Sequence, residues 1–132
     1  MCTDVAELIN PSILILDADL GFAFWFARLL ERAGYQAFPA RSVSDATDLL
    51  RHIGTNLQLL ILGGAPAGAD TLVSTLQGRQ KQIRVLHLLD SCASAEQPVS
   101  GVELEVSKPQ GRGETDQAEL LQLIERMLAS NL

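Results

Sequence analysis

The sequence predicts an α/β fold in which five parallel strands form one sheet with helices on both of its faces. Continuous apolar runs bounded by turn residues are typical of strands that are buried on both sides. Between these runs lie segments whose apolar residues recur at helical spacing. Because the two patterns alternate along a chain of 132 residues, we expect a doubly wound sheet with right-handed connections.

The strongest strand signal is Ile13–Leu16, an apolar run that stops at Asp17 and Asp19. Open α/β sheets bind ligands at the carboxyl ends of their strands, so these carboxylates are expected at a binding edge. A first helix follows Asp19, since apolar residues recur at helical spacing from Phe22 onward. Gly34 is expected to end this helix because glycine readily adopts the left-handed backbone that commonly closes helices.

The remaining elements are shorter. In order they are a strand over Gln36–Pro39, a helix capped by Ser44 and running to His52, a strand over Leu57–Leu62, a helix over Ala69–Gln77, strands over Ile83–Leu89 and Val102–Val106, and a helix over Glu114–Ala129. Pro39 suits a strand end or a sheet edge because it has no backbone N–H. The stretch 91–101 is expected to be loop-like.

Composition excludes several classes of function. The net charge is −6, with 10 Lys and Arg residues scattered along the chain, which argues against a surface for nucleic acids or acidic membranes. No apolar stretch approaches the roughly 20 residues of a membrane span. Cys2 and Cys92 have no metal-ligand spacing. We expect a short lead-in over 1–11 and one cytoplasmic domain over 12–130.

Several stretches together resemble a known family. They are Ile13–Asp19, Leu29–Tyr35, Pro66 after the third strand, and Lys108–Pro109 after the fifth. The chain resembles the receiver domain of bacterial two-component response regulators over nearly its whole length. The resemblance implies a flavodoxin-like strand order. It also implies a site in which acids after strand one hold Mg²⁺, an Asp ending strand three accepts a phosphoryl group, and a hydroxyl and a Lys sense it.

The same resemblance implies that much of this site has been lost. Counted back from Pro66, the phosphoacceptor position holds Leu62, and no Asp or Glu occurs between Asp48 and Asp70. The other changed positions are Ala18 for the second acid, Leu89 for the switch hydroxyl with Ser91 two residues later, and Glu105 for an aromatic residue. Only Asp17, Asp19 and Lys108 remain. We therefore expect a degenerate receiver, or pseudo-receiver, that is not an enzyme.

Two interpretations of the remaining residues stay open. Asp17 pairs with Lys108 across the top of the sheet, or Asp17 and Asp19 bind Mg²⁺. The ion pair is favoured because an isolated pair of carboxylates binds Mg²⁺ poorly without further oxygen ligands. No cofactor is therefore expected. In the family the peptide bond corresponding to Lys108–Pro109 is often cis.

Two other candidate sites are weaker. The glycine-rich stretch 63–68 matches no phosphate-binding fingerprint and contains no Lys. His52 and His87 have no nucleophile at a recognisable catalytic spacing, and His87 is expected to be buried within its apolar strand. A small nucleotide-binding protein and a conventional phosphorelay switch with a displaced site remain the alternatives.

A protein-binding surface is predicted on the first helix. Phe24 falls on a position that is expected to be exposed, and with Ala23 and Ala27 it would form a small apolar patch. The alternative is that Phe24 packs under the lead-in. The expected partner is a signalling protein, namely a kinase, an output protein or another receiver, with a homodimer as a further expectation. The predicted function is signal transduction by docking, independent of phosphorylation.

Overall fold

The computed structural model describes residues 12–53, 57–64, 68–79, 83–89, 102, 104–109, 111 and 113–129. Several predictions fall outside these residues. They concern the lead-in over 1–11, Cys2, Pro66, the stretch 91–101 with Cys92, and the end of the domain at 130.

The described residues form five strands and four helices. In chain order they are β1 (Ser12–Asp17), α1 (Leu20–Arg32), β2 (Gln36–Ala40), α2 (Val43–Ile53), β3 (Leu59–Gly63), α3 (Ala69–Arg79), β4 (Arg84–Leu89), β5 (Leu104–Ser107) and α4 (Glu114–Ala129). The strand order is β2-β1-β3-β4-β5, and all neighbouring strands are parallel. The predicted flavodoxin-like, doubly wound sheet is confirmed.

The sheet is covered on both faces, as the apolar runs predicted. All six residues of β1 are buried. Because side chains alternate along a strand, Ile13 and Ile15 pack with α1 and α4 on one face. Leu14 and Leu16 pack with α2 and α3 on the other. We call these the α1/α4 face and the α2/α3 face.

Strand bounds differ from the predictions by one or two residues. β2 continues through Pro39 to Ala40 and, among the described strands, pairs only with β1, so a residue without an N–H is tolerated at this edge. β3 begins at Leu59 rather than Leu57. Leu57 is buried ahead of the ladder, so its apolar character reflects burial and not strand pairing.

The cap of α2 is also displaced from the prediction. The Ser42 hydroxyl accepts a hydrogen bond from the backbone N–H of Asp45 at 3.2 Å, and the helix begins at Val43. This is the usual geometry of an N-cap, whose side chain bonds the third helical N–H. Ser42 is therefore the cap, and Ser44 lies inside the helix.

Candidate functional site

Asp17 and Lys108 meet at the carboxyl edge of the sheet. Asp17 is the last residue of β1, and Lys108 directly follows β5. The Lys108 Nζ lies 2.7 Å from Asp17 Oδ2, and the two side chains are only 14% and 5% exposed. The structure thus contains the ion pair of the first interpretation above. Both charges are largely removed from water, so each depends on the other for compensation.

Two further contacts hold Lys108 in place. Its ammonium lies 4.5 Å from the centre of the Phe22 ring, at a distance where a cation is attracted to the ring face. Its backbone N–H donates to the carbonyl of Leu89 at 2.8 Å, which extends the pairing of β5 with β4. The Lys108–Pro109 bond, like every peptide bond of the described residues, is trans, so the cis bond that the resemblance implied is absent there.

Asp19 has a structural partner of its own. Its Oδ1 accepts a hydrogen bond from the N–H of Phe22 at 3.2 Å, which makes Asp19 the N-cap of α1. The backbone N–H of Asp19 in turn donates to Asp17 Oδ1 at 2.9 Å. Ala18, between the two acids, is exposed and contributes no ligand. Both acids are therefore engaged in the turn from β1 into α1.

The residue of β3 that faces this ion pair is Gly63. Asp17 pairs with Gly63 in the parallel ladder, and Leu16 pairs with Leu62. A Cβ added at Gly63 would overlap the Asp17 carboxylate, so the carboxylate lies where a side chain of residue 63 would begin. Leu62 is fully buried on the α2/α3 face. Because side chains alternate along β1, Asp17 lies on the opposite side of the sheet, like Ile13 and Ile15.

The predicted acceptor position, Leu62, has its side chain on the opposite face of the sheet from Asp17. The assignment of the acceptor to Leu62 rests on the count from Pro66 and stays a prediction. Neither Leu62 nor Gly63 has a carboxylate, so the end of β3 has no acid. The space beside the ion pair holds Gly63 and the side chain of Asp17.

Glu105 does not face the ion pair but contacts His87. The two residues are partners in the β4–β5 ladder, and Glu105 Oε2 lies 3.1 Å from His87 Nδ1. The other ring nitrogen, Nε2, contacts the carbonyl oxygen of Gly64. The imidazole thus lies between two oxygen atoms, and each ring nitrogen contacts one of them.

His87 is fully buried, as predicted. Its link to Glu105 was missed, because nothing in the sequence shows which residues of two strands lie side by side. The side chain of His52 lies outside the described part of the structure.

The residues present do not fit a magnesium site. Mg²⁺ prefers six oxygen ligands in octahedral geometry. Here one oxygen of Asp17 faces an ammonium group and the other accepts a backbone N–H, while Asp19 caps a helix. In the described part of the chain, no three His, Cys, Asp or Glu side chains are grouped as metal ligands.

On α1, Phe24 is exposed but its predicted neighbours are not. The Phe24 side chain is 54% exposed, whereas Ala23 is 0% and Ala27 5% exposed. The prediction that the two alanines belong to the surface patch was wrong. Both pack into the core of the α1/α4 face, because the positions one before and three after Phe24 point toward the sheet on this helix.

A stripe of α1 that the sequence analysis did not single out surrounds Phe24. Together with Gln117 of α4, its residues line a groove of about 440 Å³; they are Gly21, Phe24, Trp25, Arg28, Leu29 and Arg32. The spacing of Phe24, Arg28 and Arg32, four residues apart, could have indicated that they share one helix face.

The chain is similar to known proteins in its structure and not detectably in its sequence. No family model matches the sequence, and no curated protein matches it. A receiver domain protein of Methanospirillum hungatei, described as CheY-like, superposes with a TM-score of 0.72 at 16% identity, over 92% of this chain and 96% of that one. The chemotaxis response regulator CheY4 of Vibrio cholerae superposes with a TM-score of 0.69 at 17% identity, over 91% of this chain and all of that one.

The chain has the response-regulator receiver fold. An orphan response regulator of H. pylori shares this receiver fold at 20% identity and a TM-score of 0.66, over 89% of this chain and 96% of that one. At such identities the likeness establishes the receiver fold alone. What the site can do follows from the residues of this chain. None of the described helices is both long enough and apolar enough to cross a membrane.

Proposed function

We propose that this chain is a receiver-type signalling module that acts by docking to other proteins, without being phosphorylated and without catalysing a reaction. The observation that carries the proposal is the buried ion pair between Asp17 and Lys108, 2.7 Å apart, beside a glycine at the end of β3. The receiver family that the sequence resembles has an Asp at the end of this strand, whereas the last two residues of β3 here are Leu62, the predicted acceptor position, and Gly63.

Phosphoryl transfer to a carboxylate has requirements that this ion pair and the end of β3 do not meet. The acceptor must face a divalent cation and a positively charged side chain, because negative charge spreads over the phosphoryl oxygens during transfer. Neither Leu62, the predicted acceptor position, nor the neighbouring Gly63 has a carboxylate to accept the group. The charge of Lys108 is compensated by Asp17, and a cation bound by Asp17 would have to displace the ammonium group.

The proposal gives the chain a signalling protein as its partner, namely a kinase, an output protein or another receiver, and a cytoplasmic location. The exposed ring of Phe24 on α1 supports docking, since exposed aromatic side chains commonly anchor protein interfaces. No cofactor has a part in this mode of action.

The test is the intact mass of the chain after incubation with acetyl phosphate and Mg²⁺, quenched mildly enough to preserve acyl phosphates. A receiver that has its phosphoacceptor Asp, treated in parallel, shows that the donor is active. We expect this chain to keep its unmodified mass. A stoichiometric phosphoryl adduct would overturn the proposal. The same measurement on Asp17→Asn and Asp19→Asn would then show whether either acid had become the acceptor.

A further inference from the structure

The groove beside Phe24 has positive charge that no carboxylate among the described residues compensates through an ion pair. Arg28 and Arg32 lie on its wall, and the lining contains no Asp or Glu. Within the described part of the chain, neither Arg lies in an ion pair. The groove is thus a positively charged feature on a chain whose net charge is −6.

The apolar part of the groove lies next to these charges. Phe24 stands on the rim and is 54% exposed. Trp25 and Leu29 line the groove, and Trp25 is half-buried. Aromatic and arginine side chains are the residue types most often found at the energetic centre of protein interfaces. The groove therefore combines an apolar anchor site with two guanidinium groups one helical turn apart.

On the opposite side of Phe24, side chains of both positive and negative charge are present. A second groove there, between α1 and α2, is lined by one Arg and two Asp residues, among other side chains. Arg41 and Asp45 of that groove lie 3.6 Å apart and compensate each other. Of the two grooves, the one toward α4 is therefore the one whose charge favours a negatively charged partner.

We infer that the groove between α1 and α4 binds an acidic segment of a partner protein, anchored by an apolar side chain beside Phe24 and Trp25 and held by carboxylates on Arg28 and Arg32. Guanidinium groups bind carboxylates through paired hydrogen bonds, which gives direction as well as affinity. The inference rests on the proposed function as a docking module and specifies the chemistry of its partner.

The experiment selects short peptides that bind the full chain from a displayed random library without tryptophan. Trp25 is the only tryptophan of the chain, so its fluorescence reports occupation of the groove when a selected peptide is synthesised and titrated. We expect selected peptides to combine acidic residues with an apolar one. Their affinity should fall at least about tenfold in Arg28→Glu, since opposed charges at an interface become like charges.

The matched control is Arg126→Glu, which makes the same charge change at an exposed position of α4 outside the groove. It should leave the affinity within about twofold of the unchanged chain, because distant exposed charges are screened by salt. Circular dichroism verifies that both variants are folded. An equal loss of affinity in both would overturn the inference, since the effect would then reflect net charge alone.

Other outcomes are equally decisive. Selection of neutral or basic peptides, or of none, would contradict the acidic partner. A dimer of the free chain in sedimentation equilibrium that dissociates in Arg28→Glu would show that a second copy occupies the groove. Failure here is distinct from failure of the proposed function, because the mass measurement tests phosphorylation and not the groove.

Discussion

Substitution of Gly63 by alanine tests whether the missing side chain at the end of β3 makes room for the ion pair. In the structure, a Cβ at this position would overlap the carboxylate of Asp17 and lie 2.9 Å from the Cβ of Asp17. That distance is too short for two carbon atoms. Alanine should therefore force the Asp17 side chain away from Lys108.

The expected magnitude combines two opposing effects. Loss of one partner of a buried ion pair typically destabilises a protein by about 3–5 kcal/mol. We take about 3 kcal/mol, because Lys108 is 14% exposed and can recover some hydration. Replacement of glycine by alanine within a strand offsets about 0.5–1 kcal/mol. Gly63→Ala should thus lower the free energy of unfolding by about 2 kcal/mol.

The assay is urea unfolding of four proteins: the unchanged chain, Gly63→Ala, Asp17→Gly and the double variant. In the Asp17→Gly background both the carboxylate and the Cβ of residue 17 are absent, so Gly63→Ala should be neutral or stabilise by up to about 1 kcal/mol. The coupling energy of this double-mutant cycle should be about 2–3 kcal/mol. Equal slopes with urea would show that all four proteins unfold in the same manner.

The control is Gly78→Ala in α3, where an added Cβ has no heavy atom within 4 Å. It should stabilise the chain by about 0.5–1 kcal/mol, as expected of glycine replacement in a helix. The reasoning is refuted if Gly63→Ala stabilises the unchanged chain like this control. It is also refuted if Gly63→Ala has the same effect with and without Asp17.

Two further predictions concern a titration and a helix face. Burial, and to a lesser degree the charge of Glu125, raise the pKa of Tyr35 above 10.0. The folded state therefore retains this proton after the unfolded chain loses it, so stability is complete below about pH 10 and falls as the pH rises toward the folded pKa. Titration of tyrosinate absorbance should show a lower midpoint in Glu125→Gln, and an unchanged midpoint would contradict the assignment. On α1, Phe26→Ala should cost about 3–5 kcal/mol because Phe26 is fully buried. Phe24→Glu should change stability by less than about 0.5 kcal/mol, and a large loss in urea unfolding would show that Phe24 belongs to the core.

The sequence alone was sufficient for the order and type of the elements. An apolar run such as Ile13–Leu16 indicates a strand that is buried on both faces. The apolar residues after Asp19 recur at helical spacing and indicate a helix. Both patterns can be recognised within a short stretch of sequence. The lack of any Asp or Glu between Asp48 and Asp70 is likewise a property of the sequence. Because β3 lies within this segment, neither the strand nor the turn after it can supply an acid, whatever the register of the strand.

The tertiary structure decided which side chains meet. Register between strands depends on pairing of distant segments, and a shift of one residue exchanges the two faces of the sheet. For that reason Gly63 and not Leu62 faces Asp17, and the contact of Glu105 with His87 could not be predicted. The rotation of α1 about its axis, set by packing on the sheet, buries Ala23 and Ala27 and leaves Phe24 exposed.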